Sequence, residues 1–381
     1  MHSQRPLLDT RRAVRRTLNG PFAESVARIE GSPAPLVLVA LSGGADSLAL
    51  AAAVAAEALT IELPAVGARP AKLRAGALII DHGLQSGSED VAERAADQAR
   101  ELGLDPVLVR QVKVPSGRGT AGGPESLARD ARYAAFLAVA SETGAAAILT
   151  AHTRTDQAEQ VLLGIARGSG TRSLAGIPHQ RELSDGSVIL RPFLAAEPAI
   201  TRADTEAACK LQGLRPWHDP HNLDPSFARV RVRERVLPML EREIGPGIAA
   251  ALARTADQAS EDADALDSLA GQAEGDVRVR EEDAAADVTH TVLDVAALAA
   301  LPAAIRGRVI RRVAASDFDA HLSREHTLAI TALVTHWRGQ GPLFVPEIRV
   351  SRLRGALYFE RQTGSPRATV GSGPKPLSAT D

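Results

Sequence analysis

The stretch Leu36-Val-Leu-Val-Ala-Leu-Ser-Gly-Gly-Ala-Asp-Ser-Leu-Ala-Leu50 decides the fold. An apolar, β-branched run opens it, bounded by Pro33 and Pro35. The run breaks at Ser42-Gly43-Gly44 and resumes as an Ala/Leu-rich segment of helical composition, Leu48 to Leu59. That order reads as buried strand, tight glycine loop and helix N-terminus. Two glycines let the backbone approach a ligand closely and take φ values other residues avoid. The first helical turn has unpaired N–H groups and partial positive charge. A phosphate or pyrophosphate satisfies both. Ser42 and Ser47 add hydroxyl donors. Asp46 repels a bare phosphate, so a divalent metal between them is the natural complement. The competing reading is a plain turn with Asp46 as a helix cap.

No Lys follows the glycines, so the loop is not a Walker A sequence. Ser42-Gly-Gly-Ala-Asp-Ser47 instead resembles the pyrophosphate loop of the ATP pyrophosphatase superfamily, whose members split ATP into AMP and pyrophosphate.

Outward from this loop, strand and helix patterns alternate. Apolar spacing over residues 8–30 predicts one or two helices beside the first strand, and residues 60–75 read as a loop. Ala75–Gly83 reads as a second buried strand, 88–102 as a helix and Val107–Val114 as a third strand. Residues 115–124 are Gly/Pro-rich and expected to be mobile. A helix over Glu125–Thr143, a strand over Ala145–Ala151 ending at His152, a helix over Thr155–Ala166 and a fifth strand over Val188–Leu194 follow. The alternation predicts an α/β fold: a parallel sheet with helices on both faces. Ligands bind such sheets at the carboxyl ends of the strands. Ser42, Asp81, His82, His152 and Asp156 all fall at or just beyond those ends.

Beyond the sheet the pattern changes. A turn-rich segment from Trp217 leads into an Arg-rich helix ending near Pro238, and Gly245-Pro-Gly247 reads as a boundary. Helices are expected over 248–273, Leu293–Val313 and 323–338, then two short strands, Leu343–Val350 and Ala356–Phe359. The resulting division is 1–215 catalytic, 216–245 a basic connector, 246–362 a smaller, mainly helical accessory domain ending in a hairpin, and 363–381 a disordered tail.

Composition narrows the class. At 381 residues two or three domains are expected, and 45% hydrophobic against 24% charged residues is ordinary for a globular chain. The net charge of −2 gives no global nucleic-acid signal, so RNA contact must come from local Arg clusters. One cysteine, Cys209, excludes a disulfide framework and a Cys-based zinc or iron–sulfur site, and favours a cytoplasmic setting. The N-terminus lacks the apolar segment of a secretory signal, and no apolar run reaches membrane-spanning length.

Three constellations could carry chemistry. His152-Thr-Arg-Thr-Asp156 places an imidazole and a carboxylate one helical turn apart. Asp156 could share a magnesium ion with Asp46 or steer an amine; otherwise Thr155 or Asp156 is a cap and His152 a packed residue. Glu125, Arg129 and Arg132 share a helix face, either as a salt-bridged surface or as an anion-binding one. Arg229, Arg231, Arg233 and Arg235 read as a soluble capping helix or as phosphate-backbone contacts, and the basic end Arg306–Arg312 has the same two readings.

Together, Ser42–Ser47, Ile80-Asp-His-Gly-Leu84, Glu125-Ser-Leu-Ala-Arg-Asp-Ala-Arg-Tyr133, Ala151-His-Thr-Arg-Thr-Asp-Gln-Ala-Glu159, Arg167-Gly-Ser-Gly170 and Asp219-Pro-His-Asn-Leu-Asp224 resemble the tRNA(Ile)-lysidine synthetase family. They occur in the family's order over roughly residues 36–240. Thr155, Gln160 and Gln85 depart from residues common in the family, while Asp156 is kept. The resemblance implies an enzyme that joins L-lysine to C2 of the wobble cytidine of an isoleucine tRNA with anticodon CAU, through an adenylated intermediate. It implies ATP bound by Ser42, Gly43, Gly44, Ala45, Asp46, Ser47, Asp81, His82, Arg129 and Arg132. It implies Mg2+ on Asp46 and Asp156, chemistry by Asp46, Asp156 and His152, and tRNA contacts at Arg167, Arg172, Arg229, Arg231, Arg233 and Arg235. A homodimer stays open as the oligomeric state, and no membrane partner is expected. The rival readings are a PP-loop tRNA thiolase, disfavoured by the single cysteine, and a non-catalytic nucleotide- and RNA-binding module, disfavoured by retention of Asp46 and Asp156.

Overall fold

The structure is a computed structural model describing residues 4–23, 34–63, 71–83, 87–112, 123–168, 170–279 and 290–362. The tail expected at 363–381 and most of the stretch 115–124 lie outside these residues; Gly123 and Pro124 open a helix. The chain forms two compact units, Met1–Ser260 and Glu261–Asp381.

The first unit begins with α1 (Arg5–Thr17), which continues as a π-helical turn through Phe22. Then come β1 (Leu36–Ala40), α2 (Ala45–Ala58), the small pair β2 (Glu62–Leu63) and β3 (Ala71–Lys72), and β4 (Arg74–Asp81). Next are α3 (Ser88–Glu101), β5 (Val107–Gln111), α4 (Gly123–Thr143), β6 (Ala145–Leu149), α5 (Arg154–Ala166) and α6 (Thr171–Leu174). After β7 (Gln180–Glu182) and β8 (Val188–Leu190) come α7 (Arg202–Leu211), α8 (Ala228–Arg231), a π-helical stretch Val232–Val236 and α9 (Leu237–Glu243). The long α10 (Ile248–Val277) follows.

The main sheet has the order β5-β4-β1-β6-β8-β7, parallel except for the antiparallel edge strand β7. The chain builds outward from β1 through β4 to β5, then crosses to β6 on the other side of β1. The order therefore reverses between β1 and β6, where open α/β sheets bind ligands. Alternation along β1 feeds two cores. Val37 and Val39 pack with α1, α2, α3 and α7 on one face, and Leu36 and Leu38 pack with Phe136, Val139 and Ala140 of α4 on the other. Gly76 is needed opposite Leu38, because a Cβ there would lie 2.5 Å from the Pro106 carbonyl oxygen and 2.8 Å from Leu38 Cδ2.

Glu57, near the end of α2, is fully buried. It accepts hydrogen bonds from Arg11 Nε (2.7 Å) and Arg15 Nε (2.6 Å) of α1. Burial pushes the Glu57 carboxyl up, but the two guanidiniums outweigh it and hold the group below its ordinary value. Replacing both Arg11 and Arg15 with Met should lower unfolding free energy by about 3 kcal/mol, because an unpaired carboxylate stays buried. A urea midpoint equal to wild type would show that α1 docks by apolar contact alone.

The second unit contains β9 (His290–Asp294), α11 (Val295–Ala300), α12 (Ala303–Phe318), α13 (Arg324–Thr335), β10 (Leu343–Val345), β11 (Ile348–Leu353) and β12 (Ala356–Arg361). Its antiparallel sheet has the order β10-β11-β12-β9. The helical expectation over Leu293–Val313 is corrected at its start. Leu293 lies in a strand paired with Leu357, and helix begins only after Asp294, whose side chain accepts the Ala297 N–H (2.6 Å). Pro302 then separates α11 from α12. The basic stretch Arg306–Arg312 of α12 is partly neutralised: Arg308 pairs with Asp267 and the exposed Arg312 with Glu274.

Other boundaries moved for local reasons. The fifth strand ends at Leu190 because Pro192 has no N–H for a ladder, and Pro192–Leu194 forms a 3-10 turn instead. The loop expected over 60–75 carries the β2–β3 pair. α7, for which no element was expected, is announced by a capping box, Thr201 to Asp204.

Candidate active site

The backbone turns at Gly43, whose φ of +80° is the left-handed region that favours glycine. Its carbonyl accepts the Trp217 N–H (2.9 Å), tying the loop to the segment after α7. Gly44 is the N-cap of α2 and has no side-chain cap. The hydroxyl of Ser47 donates to the Gly44 carbonyl (2.9 Å), and the Ser42 N–H donates to Ser47 Oγ (3.2 Å). The loop is thus braced from within, and the helix N-terminus remains uncapped by any side chain.

Asp46 is not the cap. Its carboxylate accepts a hydrogen bond from the Thr205 hydroxyl and lies 3.4 Å from Arg202 Nη2, both on α7. Burial raises the Asp46 carboxyl above its ordinary value; Thr205 and Arg202 pull it down, and Asp156 pushes it further up. α7 therefore supplies two residues of the site that sequence reasoning missed. The capping box signals the helix, but nothing in the sequence signals its contact with Asp46.

β6 and α5 bring in the second cluster. Thr153 is the N-cap of α5, and its N–H (2.7 Å) and hydroxyl (2.9 Å) both donate to Asp156 Oδ2. Of the two cap positions expected, Thr155 is not the cap, while Asp156 closes the capping box on Thr153. The other oxygen, Asp156 Oδ1, accepts from Arg229 Nη2 (2.7 Å). Burial pushes the Asp156 carboxyl up, yet Arg229, His152 and the Thr153 hydrogen bonds outweigh it and leave the group below its ordinary value. His152 Nδ1 lies 3.1 Å from the Thr150 hydroxyl. Burial, then the cations Arg191, Arg229 and Arg132, drive the imidazole down to about 3, against the opposing pull of Asp156. His152 is neutral at pH 7.

The basic helix differs from the sequence reading. Arg229 and Arg233 do not face outward toward a phosphate backbone. Arg229 Nε (2.8 Å) and Arg233 Nε (2.6 Å) bond Glu159, which is fully buried one turn beyond Asp156. The physical reason is charge: two buried carboxylates on α5 demand cations, and α8 with its π-helical continuation supplies them. Arg231 is exposed and bonds the carbonyls of Pro225 and Ser226 (2.7 Å each), and Arg235 is exposed. Arg167 and Arg172 are exposed after α5.

Asp81 ends β4 and accepts the Gly83 N–H (2.9 Å). Burial and Arg132 lower the neighbouring His82, whose Nε2 lies 3.5 Å from Arg132 Nη2 and whose Nδ1 has no partner among the described residues. Arg129 and Arg132 lie on α4.

Comparison with known proteins settles the family. A profile of the PP-loop domain matches residues 6–240, and one of the TilS substrate binding domain matches residues 293–358. The tRNA(Ile)-lysidine synthase of Leifsonia xyli subsp. xyli is 53% identical over 332 residues, covering 87% of this chain and 92% of that protein. The tRNA(Ile)-lysidine synthase of Streptomyces coelicolor is 48% identical over 338 residues, covering 88% of each. This chain belongs to the tRNA(Ile)-lysidine synthase family. It is a ligase of the PP-loop type that acts on ATP.

Among solved structures, the U34-tRNA thiolase NcsA from Methanococcus maripaludis with its [4Fe-4S] cluster shares the fold, with a TM-score of 0.51 at 18% identity, covering 66% of this chain and 78% of that one. Outside the fold this tRNA(Ile)-lysidine synthase family member departs from it. Its one cysteine, Cys209, is buried in α7, and burial pushes the thiol up to about 12. A thiol so reluctant to ionise is a poor cluster ligand or sulfur carrier.

The donor chemistry fits magnesium at Asp46. Magnesium takes hard oxygen ligands, usually one or two carboxylates completed by phosphates and water. Among the described residues no group of three or more His, Cys, Asp or Glu gathers to hold an ion without such help. Asp46 is a partly buried carboxylate held above its ordinary value beside a second acid and an open phosphate loop. Asp156 is a weaker donor, because Thr153 and Arg229 already occupy its two oxygens.

Proposed function

We propose that this protein ligates L-lysine to C2 of the wobble cytidine of the isoleucine tRNA with anticodon CAU, consuming ATP and releasing AMP and pyrophosphate. One observation carries the reading. In a chain of this family, the open phosphate loop with Asp46 and the His152–Asp156 corner meet where the sheet order reverses.

The cytidine C2 oxygen attacks the α-phosphorus, and its bond to pyrophosphate breaks. The lysine ε-ammonium loses a proton to solvent; the neutral amine then attacks C2, the C2–O bond breaks, and AMP leaves with the oxygen. The free N–H groups of α2, with Ser42 and Ser47, hold the departing pyrophosphate. Asp81, His82 and Arg132 line the nucleotide's side at the end of β4 and on α4. Magnesium bound through Asp46, with Asp156 in reach, would neutralise phosphate charge. Thr205 and Arg202 hold Asp46 in place. Asp156 attracts the lysine ammonium, and His152 offers a neutral ring nitrogen. A base near pKa 3 accepts a proton poorly from an amine, so His152 positions rather than titrates. Arg231, Arg235, Arg167 and Arg172 are the exposed cations for tRNA. A cytoplasmic setting fits a chain whose single cysteine has no partner.

The direct test follows pyrophosphate release by the wild-type protein. It should require both tRNA and lysine for full turnover, with labelled lysine entering the tRNA. Pyrophosphate release indifferent to tRNA would overturn the reading. A second measurement addresses His152. Its protonation lies far below the working range, so the pH–rate profiles of wild type and His152→Gln should have the same shape between pH 5.5 and 8.5, whatever their heights. An inflection near the ordinary histidine value, lost in the variant, would show that His152 does titrate.

A further inference from the structure

Arg191 directly follows β8 and is only 2% exposed. Its Nη2 donates to the Tyr133 hydroxyl (2.9 Å) and its Nη1 to the Pro178 carbonyl (2.7 Å), while its Nε has no hydrogen-bond partner among the described residues. Two further guanidiniums lie over the same ring: Arg129 at 5.4 Å and Arg181 at 4.6 Å from the Tyr133 centroid. Among the described residues no carboxylate pairs with any of these three, whereas Arg229 and Arg233 both have carboxylate partners.

Arg191 is a buried cation without a carboxylate partner, which is costly, and the two exposed guanidiniums on the same ring add like charge. An anion bound there would relieve the cluster. Burial pushes the Tyr133 hydroxyl up, but Arg191, Arg129 and Arg181 outweigh it and bring the phenol below its ordinary value, so the local field favours negative charge. The cluster adjoins the site, because the Arg191 charge is, after burial, the largest influence lowering His152. It also opens outward. Arg129 is exposed on α4, and Arg181 is exposed on β7, the edge strand of the sheet. An open edge suits a chain of phosphates that runs past the site more than an enclosed small anion. Guanidinium forks match phosphate oxygens in geometry as well as charge.

We propose that Arg129, Arg181 and Arg191, gathered on Tyr133, form a phosphodiester-binding subsite that holds the RNA strand next to the target cytidine. The subsite rests on the tRNA reading above. Arg181, Arg191 and Tyr133 are new to the site, and Arg129 moves from the ATP side to the RNA side. The alternative source of the same anion chemistry is a phosphate of ATP, and the two separate by experiment.

The test uses the full-length protein and measures tRNA affinity across a salt series beside ATP affinity. Arg181→Gln should weaken tRNA binding and reduce the log–log salt slope by about 0.7 to 0.9, the value for one phosphate contact. Arg181→Lys keeps the charge and should keep the slope. Tyr133→Phe removes the Arg191 anchor and should weaken tRNA binding with ATP affinity unchanged. An unchanged slope in Arg181→Gln, or weaker ATP binding with tRNA binding intact, overturns the subsite. If such a protein still transfers lysine, the proposed function stands and the subsite alone falls. If the slope falls as expected but wild type transfers no lysine, the subsite stands and the ligase reading falls.

Discussion

Asp46→Asn should cut pyrophosphate release by at least about a thousandfold, the scale seen when a preorganised charge partner is removed from a transition state. The fold should survive. Asn keeps the shape, and Thr205 still has an oxygen to meet. Stability should stay level or rise, and the sign follows from the carboxyl's environment. The folded protein holds the Asp46 proton more tightly than the unfolded chain, chiefly through burial. Its favourable contribution therefore exists at low pH and is lost as pH rises through the raised value. At neutral pH the free protein carries a partly buried charge that a neutral side chain relieves, and melting should move up by a few degrees at most, roughly 1 kcal/mol for a domain of this size. Magnesium and ATP should stabilise wild type but not the variant. Wild-type turnover in Asp46→Asn would remove Asp46 from the chemistry. A large fall in melting temperature would make it structural.

Asp156→Ala has the second large effect, and two signals report it. The side chain caps α5 through Thr153 and pairs with Arg229, so its loss should cost about 2 to 3 kcal/mol of stability. The folded carboxyl lies below its ordinary value, so this contribution is present above the unfolded value and is lost as pH falls through the folded one. Asp156→Asn keeps one acceptor and much of the cap, which separates chemistry from folding. If Asp156 serves the amine step, Asp156→Asn should still release pyrophosphate with tRNA yet incorporate lysine at least about a hundredfold more slowly. Loss of both signals assigns it to ATP or magnesium instead. Normal incorporation in Asp156→Asn would leave Asp156 as a cap and an Arg229 partner only.

The strand–loop–helix and the strand–helix corner that frame the candidate site are legible in the sequence. A β-branched run broken by two glycines and followed by an Ala-rich helix is a local pattern, and its period is set by bonds between near neighbours. The same holds for His152 and Asp156, four residues apart at a strand–helix corner. These features depend on short-range backbone geometry, so they survive without the rest of the chain.

What the arginines do was not legible, because charge alone does not say which way a side chain points. Arg229 and Arg233 read as a phosphate-facing surface, yet they bond Glu159, 70 and 74 residues away. Arg191 read as part of a strand, yet it anchors on Tyr133, 58 residues away. Thr205 and Arg202 had no reading, and Thr205 holds Asp46 from 159 residues away. Leu293 and Asp294, the last residues of β9, read as the start of a helix, yet they pair with β12, whose residues lie beyond three intervening helices. Sequence determined the phosphate loop, the parallel sheet and the corner residues, because local periodicity and turn chemistry dictate them. Only the tertiary structure decided which cations neutralise buried carboxylates and which remain without one. Those partners come from distant elements, and the low dielectric of the interior, not the order of residues, selects among them.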